Sequence, residues 1–233
     1  EIDRKKLLGK NVILGTALVD MYAKCGFVSE SRDVFDEIID QDIVSWTALI
    51  AGYAEHGYDE EALKCFEHMK LKGIIPDAVL WSALIAGYAK QNSGEEALNC
   101  LELMKLEGIS PDALTFACTL RACAGIGVID EGREMHEEIK RQGIKDQDAI
   151  IGNALVDMYA KCGFINEAED IFDKLRVRTI VAWTSLLMGY AEHGYGKESL
   201  DCLKRMKDEG ISLDSTAYVC ILKACSETGI ISK

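Results

Sequence analysis

Ala17-Leu18-Val19-Asp20-Met21-Tyr22-Ala23-Lys24-Cys25-Gly26-Phe27 returns unchanged as Ala154 through Phe164, 137 residues further on. The same spacing carries Gly52-Tyr53-Ala54-Glu55-His56-Gly57-Tyr58 onto Gly189 through Tyr195, and Trp46-Thr47 onto Trp183-Thr184. One spacing shared by separate blocks means an architecture copied in register, and a fixed internal period is the signature of a repeat array. Aligning the apolar blocks places Thr16, Thr47, Ser82, Ala117, Asn153, Thr184 and Val219 at equivalent positions, in steps of 31, 35, 35, 36, 31 and 35. The units so defined run 12–42, 43–77, 78–112, 113–148, 149–179 and 180–214. Residues 1–11 read as the tail of a preceding unit and 215–233 as the first half of a following one, so the chain reads as a piece of a longer protein.

Each unit reads as two helices. Trp46, Leu49, Ile50 and Tyr53 fall at helical spacing and define one apolar face. Gly57 breaks that pattern, and Leu63, Phe66 and Met69 begin a second face with Glu60, Glu61, Lys64, Glu67 and Lys70 towards water. Gly73, Gly108 and Gly210 sit where a left-handed residue stops a helix. Pro76 and Pro111, the two prolines, lie in links that a helix cannot run through. Ser93-x-x-Glu96 and Asn166-x-x-Glu169 resemble capping boxes at the starts of second helices. About fourteen helices and no sheet are expected, counting the two half units. A two-helix unit cannot bury its apolar face alone but can do so against its neighbours. The expected fold is all-α: a right-handed α-solenoid of stacked helix-turn-helix repeats, a superhelix whose concave side is lined by the first helices.

The chain has 233 residues, 48% of them hydrophobic, enough for a substantial core. No apolar run approaches a membrane span. The net charge of −13 argues against sequence-independent attachment to nucleic acid, which rests on many Lys and Arg contacts. Nine cysteines invite a disulfide or metal reading, but their spacings do not support it. Cys25 and Cys162 are repeat equivalents, as are Cys118/Cys123 and Cys220/Cys225, and Cys-x-x-Cys is absent. Free, mostly buried thiols in a reducing compartment are expected, with no metal and no other cofactor.

These motifs resemble the pentatricopeptide repeat family, in its plant PLS subclass, over essentially the whole chain. Units 12–42 and 149–179, with Ala-Leu-Val-Asp-Met-Tyr-Ala-Lys-Cys-Gly, resemble the 31-residue S type. Units 43–77 and 180–214, with Trp-Thr and Gly-Tyr-Ala-Glu-His-Gly, resemble the P type. Unit 113–148 resembles the L type through Thr115-Phe116, Leu120-Arg121-Ala122-Cys123-Ala124 and Gly132-Arg133-Glu134-Met135-His136. Residues 1–11 and 215–233 are then L-type pieces. Unit 78–112 is P-like where strict alternation would place an L type.

The resemblance implies single-stranded RNA as the partner, read at about one base per repeat by the fifth and last residues, with the second residue wedged between bases. Carried onto this sequence, the reading pairs are Thr16/Asp42, Thr47/Asp77, Ser82/Asp112, Ala117/Asp148, Asn153/Thr179 and Thr184/Asp214. The wedges are Ile13, Val44, Val79, Leu114, Ile150 and Val181, which would ordinarily be core. An ionised Asp only accepts hydrogen bonds, so the base facing it must donate, as guanine and uracil do and adenine's ring nitrogen does not. A short hydroxyl at the fifth position leaves room for a purine; Asn there favours a pyrimidine by resemblance. The expected target is 5′-GGGNYG-3′, with the third G weak and Ala117 reading poorly. Asp and Thr at unit junctions are also residues that cap helices, but the recurrence of the pairs in such an array favours recognition.

Lys24, Lys90 and Lys161 are equivalents and candidates for phosphate contact, although Glu55 and Glu192 stand at the same place in other units. His56 and His193 end first helices and read as structural. The resemblance further implies an organellar RNA editing or processing factor, in mitochondrion or chloroplast, with editing-complex proteins as partners and neither membrane nor DNA. No chemistry is expected of the chain itself. A cytidine deaminase needs His-x-Glu together with Pro-Cys-x-x-Cys, and that set is absent. One alternative is that the chain is the RNA-targeting part of such a deaminase, its catalytic domain lying outside these residues. A protein-binding helical scaffold is the alternative that the acidic charge suits.

Overall fold

Asn11, Asp42, Asp77 and Thr179 each open a helix by the same device. The side-chain oxygen accepts the backbone N–H three residues on: from Leu14 at 3.1 Å, Ser45 at 2.9 Å, Leu80 at 2.9 Å and Ala182 at 3.3 Å. Each cap satisfies a donor that the helix cannot, and is worth roughly 1 kcal/mol. The computed structural model describes residues 11–145, 148–212, 217–220 and 222–223. Among these, twelve helices alternate as first and second members of hairpins. They are α1 (Val12–Lys24), α2 (Val28–Glu37), α3 (Ile43–Glu55), α4 (Asp59–Leu71), α5 (Ala78–Lys90) and α6 (Gly94–Leu106), followed by α7 (Ala113–Ile126), α8 (Ile129–Arg141), α9 (Ala149–Lys161), α10 (Ile165–Lys174), α11 (Ile180–Glu192) and α12 (Gly196–Asp208). Residues 217–220 are also helical, and the described residues contain no strand. The protein is an all-α helical-repeat solenoid. The pieces at 1–10 and 224–233, and residues 213–216, lie outside the described residues.

Two compact units divide the chain, Glu1–Thr115 and Phe116–Lys233. In the first, α1, α3 and α5 pack side by side, each against its own second helix. In the second, α9 packs against α11 in the same way, with α10 and α12 behind them. The expected face of α3 is its core: Trp46, Leu49 and Ile50 are essentially inaccessible and Tyr53 nearly so. A tryptophan from each of α3, α5 and α11 meets a phenylalanine of the preceding second helix. Trp46 lies 4.6 Å from Phe35, Trp81 4.9 Å from Phe66 and Trp183 4.6 Å from Phe172, ring centre to ring centre. Such pairs add about 0.5–1.5 kcal/mol beyond the area that they bury.

Glycine makes the close approach of first helices feasible. A Cβ on Gly52 would stand 2.4 Å from that of Ala23, and one on Gly189 2.7 Å from that of Ala160. The recurring Gly-Tyr-Ala block is therefore a packing motif, in which small residues face each other across neighbouring helices. Gly73 adopts φ +77° after α4, and Ile74 N–H closes back on Met69 O at 3.2 Å, so the left-handed stop forms as expected. Gly108 and Gly210 repeat it, at +77° and +73°.

Three local expectations need correction. Leu63 is 44% exposed; the buried face of α4 is Ala62, Cys65, Phe66 and Met69. Ser93 makes no side-chain cap: its N–H returns to Tyr88 O and its hydroxyl donates to Asp59 at 3.1 Å. Asn166 lies inside α10, whose N-cap is Phe164. Both second helices follow so closely on a turn that closes back on a tyrosine that no capping box forms. Among the thiols, Cys65, Cys100, Cys123 and Cys202 are buried and outside any disulfide, whereas Cys25 is exposed. Burial pushes Cys100, Cys123 and Cys202 up to about 12, which keeps them protonated at neutral pH.

Candidate nucleic-acid interface

The second residue of each first helix points to water. Ile13 is 83% exposed, Val79 67%, Val44 and Ile150 58%, and Leu114 and Val181 53%. Six branched or aliphatic side chains on well-packed helices are thus kept out of the core at one repeated place. Within the first unit, an open cleft of about 660 Å³ brings Ile13, Thr16, Asp42, Val44 and Thr47 together, with Asp20, Lys24 and Glu55 further along it. The cleft therefore gathers one sequence-predicted reading pair, the hydroxyl of the next pair and two wedges.

The reading pairs differ in how far they are already engaged. Thr47 donates its hydroxyl to Ile43 O at 2.7 Å, and Thr184 donates to Ile180 O at 2.9 Å or Val181 O at 3.0 Å. That turns their protons inward and leaves lone pairs outward. Thr16 Oγ1 is buried without a partner among the described residues. Asp42 and Asp77 use Oδ1 in their caps, and Oδ2 takes no part in them. Capping and outward presentation are therefore compatible in one carboxylate. Thr179 donates to Asn153 Oδ1 at 3.0 Å, which joins that pair directly. Ala117 is buried, so its position offers a ligand neither a polar group nor access. Asp148 precedes α9 and makes no side-chain cap, and Asp214 lies outside the described residues.

Ser82 and Asp112 are linked through a third residue that sequence reasoning missed. Asp112 Oδ1 accepts both the N–H of Thr115, at 2.8 Å, and its hydroxyl, at 2.7 Å. The Thr115 oxygen lies 2.8 Å from Ser82 Oγ. The Asp112 carboxyl is held below its ordinary 3.8. The Thr115 N–H is the main cause; burial opposes it, and the Thr115 hydroxyl and the Leu114 N–H assist. Because the folded value is depressed, ionised Asp112 favours the folded chain in full above 3.8. That contribution is lost as pH falls from there through the folded value. A carbon-detected NMR titration of the aspartate carboxyls is expected to give Asp112 a midpoint below 3.8; a midpoint at or above 3.8 would remove this network.

The candidate phosphate contacts are each beside a carboxylate. Lys24 meets Asp20 at 2.7 Å, Lys161 meets Asp157 at 2.9 Å, and Lys90 lies 4.0 Å from Glu55. Little net positive charge is left there for a backbone of phosphates. His56 and His193 are braces: Nε2 lies 2.8 Å from Ala23 O and 3.3 Å from Lys161 O, so each imidazole donates to the last turn of the preceding first helix. Gln91 does the same to Glu55 O at 2.5 Å. His136-Glu137-Glu138 has the His-x-Glu spacing of a deaminase, one half of that set. Its buried imidazole meets the Tyr159 hydroxyl through Nδ1 at 3.0 Å, and Pro-Cys-x-x-Cys is absent from the sequence. Among the described residues no three His, Cys, Asp or Glu side chains gather as a metal site requires, and no helix is long and apolar enough to cross a membrane.

Models described as the PPR repeat family match residues 41–79, 76–125 and 178–227, and a PPR repeat model matches 16–43 and 153–180. This chain belongs to the pentatricopeptide repeat family. A putative pentatricopeptide repeat-containing protein of Arabidopsis thaliana is 35% identical over 219 residues, covering 94% of the chain and 36% of that relative. A mitochondrial pentatricopeptide repeat-containing protein of the same plant is 33% identical over 227 residues, covering 97% and 30%. The chain thus spans about a third of the curated relatives' length. Among solved structures, the pentatricopeptide repeat protein PPR10 from maize superposes with a TM-score of 0.72 at 20% identity, over 93% of this chain and 32% of that one. The PPR10 complex with an 18-nt psaJ RNA element superposes at 0.59 and 22% identity, over 94% and 38%. At those identities the likeness establishes the repeat fold.

Proposed function

We propose that this pentatricopeptide repeat chain is a sequence-selective, single-stranded RNA-binding module that reads about one base per repeat. The single observation that carries the reading is the solvent exposure of Ile13, Val44, Val79, Leu114, Ile150 and Val181. Apolar side chains repeated on a rigid scaffold suit a ligand whose flat bases slide between them. The units 12–42, 43–77, 78–112, 113–148, 149–179 and 180–214 serve as the reading frame, in PLS order apart from 78–112. Helix starts at Val12, Ile43, Ala78, Ala113, Ala149 and Ile180 support that division. Thr16/Asp42, Thr47/Asp77, Ser82/Asp112, Asn153/Thr179 and Thr184/Asp214 choose bases, and the target is 5′-GGGNYG-3′. The RNA-bound relative in the same fold supports RNA as the ligand. Relatives named mitochondrial and chloroplastic support an organellar place, in an editing or processing factor whose chemistry is supplied outside these residues.

The test is fluorescence anisotropy with a labelled 5′-GGGAUG-3′ RNA and unlabelled competitors. That RNA is expected to compete better than oligo-A of the same length. Affinity should be modest and fall only gently with salt, because Lys24, Lys90 and Lys161 are neutralised and few phosphates gain a cation. Equal competition by oligo-A would overturn the assignment. The same pairing of lysines favours, as a second reading, a scaffold for another protein, for which no RNA would compete by sequence.

A further inference from the structure

Asp112 differs from the other capping aspartates in what touches its carboxylate. Asp42 Oδ1 accepts only a backbone N–H in its cap, and the Ser45 hydroxyl beside it turns to Asp42's own carbonyl at 2.8 Å. Asp77 Oδ1 accepts the N–H of Leu80, a residue with no hydroxyl to add. Asp112 Oδ1 accepts an N–H and a hydroxyl from one residue, Thr115, and that hydroxyl also lies on Ser82 Oγ. Thr115 is fully buried, so this contact is fixed by packing. Ser82 has one proton, which either Ala78 O, at 2.7 Å, or the Thr115 oxygen takes. Both donors fall on Oδ1, and because the charge is shared over the carboxylate, drawing it to Oδ1 with two donors leaves the outward Oδ2 a weaker acceptor for a base than in Asp42 or Asp77.

We propose that Thr115 is a positioning residue for base selection, holding the Ser82/Asp112 pair engaged with itself and so weakening guanine selection by unit 78–112. The inference rests on the RNA reading above, and goes beyond it by assigning a role to the third residue of the following unit. The weak third base then arises from Thr115 and not from Ser82 being smaller than threonine. Thr115→Val keeps the shape and the N–H cap but removes the hydroxyl.

Anisotropy would be measured for the full chain with 5′-GGGAUG-3′ and with versions carrying A at the second or the third position. For Thr115→Val the G-over-A ratio at the third position should rise roughly two- to tenfold, the range of one net hydrogen bond, while the second-position ratio stays as it was. Thr115→Ser restores the hydroxyl and should restore the native ratio. Thr115→Ala gives a second hydroxyl-free variant should valine disturb packing, with helix content checked by circular dichroism. An unchanged third-position ratio in both hydroxyl-free variants, with the second position still selective, would overturn this role for Thr115 and leave the RNA reading standing. Absence of selection at the second position in the native chain would overturn that reading, and the role of Thr115 with it.

Discussion

Replacing Trp46 by alanine will lower the unfolding free energy by about 3–5 kcal/mol, the range for removing a large aromatic from a well-packed core. The indole is fully buried, meets Phe35 edge-on at 4.6 Å, and has His68 at 5.4 Å and the Lys72 ammonium at 5.4 Å. It therefore joins the second helix of one hairpin to both helices of the next. In a solenoid such contacts are the coupling between neighbours, so their loss also broadens the transition. Trp46→Phe keeps a ring against Phe35 and leaves a smaller cavity, so it should cost less than the alanine variant. Its Nε1 has no hydrogen-bond partner among the described residues, so nothing polar is forfeited with the indole N–H. Urea unfolding followed by the helix signal at 222 nm measures both. A loss below about 1 kcal/mol for the alanine variant would mean that Trp46 does not couple the hairpins.

The repeat period was legible because apolar spacing and glycine position are set by the backbone, which every unit shares. Trp46, Leu49, Ile50 and Tyr53 fell on the buried face as their spacing required, and Gly73 took the left-handed turn that only a residue without Cβ adopts freely. Leu63 was misread because helical spacing fixes which residues share a face but not how wide a stripe the neighbours cover. The Ser93 pattern failed for a similar reason: a Ser-x-x-Glu sequence states what a helix start could use, while the tight preceding turn decided what it did use. The wedge positions were beyond periodicity altogether. Val44 and Val79 are apolar residues in the first turn of a helix, and only the stacking of hairpins leaves that turn facing water. Thr115 had no sequence signal, since its role depends on two residues, three and thirty-three positions away, converging on one hydroxyl. The sequence posed capping and base reading as alternatives at the junction aspartates. A carboxylate has two oxygens, and Asp42 and Asp77 cap with one of them.

That division of labour makes Asp77→Asn the sharpest test of the reading frame. Asparagine is as good an N-cap as aspartate, so its oxygen can keep the 2.9 Å contact with Leu80 N–H and α5 should start as before. The other carboxylate oxygen becomes an amide that donates. Opposite unit 43–77, Thr47 has turned its proton inward to Ile43 O, so the native pair offers acceptors only, which suits the donor edge of guanine. With an amide in place, adenine's ring nitrogen gains a donor and guanine's N1–H loses its acceptor. One such edge contact is worth ~1–3 kcal/mol of discrimination, by analogy with readout in DNA. The two bases move in opposite senses, so the preference at the second RNA position should invert from G to A while the other positions keep theirs. The measurement is the affinity of both proteins for RNAs differing only at that base, alongside a urea midpoint that should shift little. Equal weakening towards both RNAs would mean that Asp77 is a helix cap and not a reader, and that the pairing of fifth and last residues is misaligned.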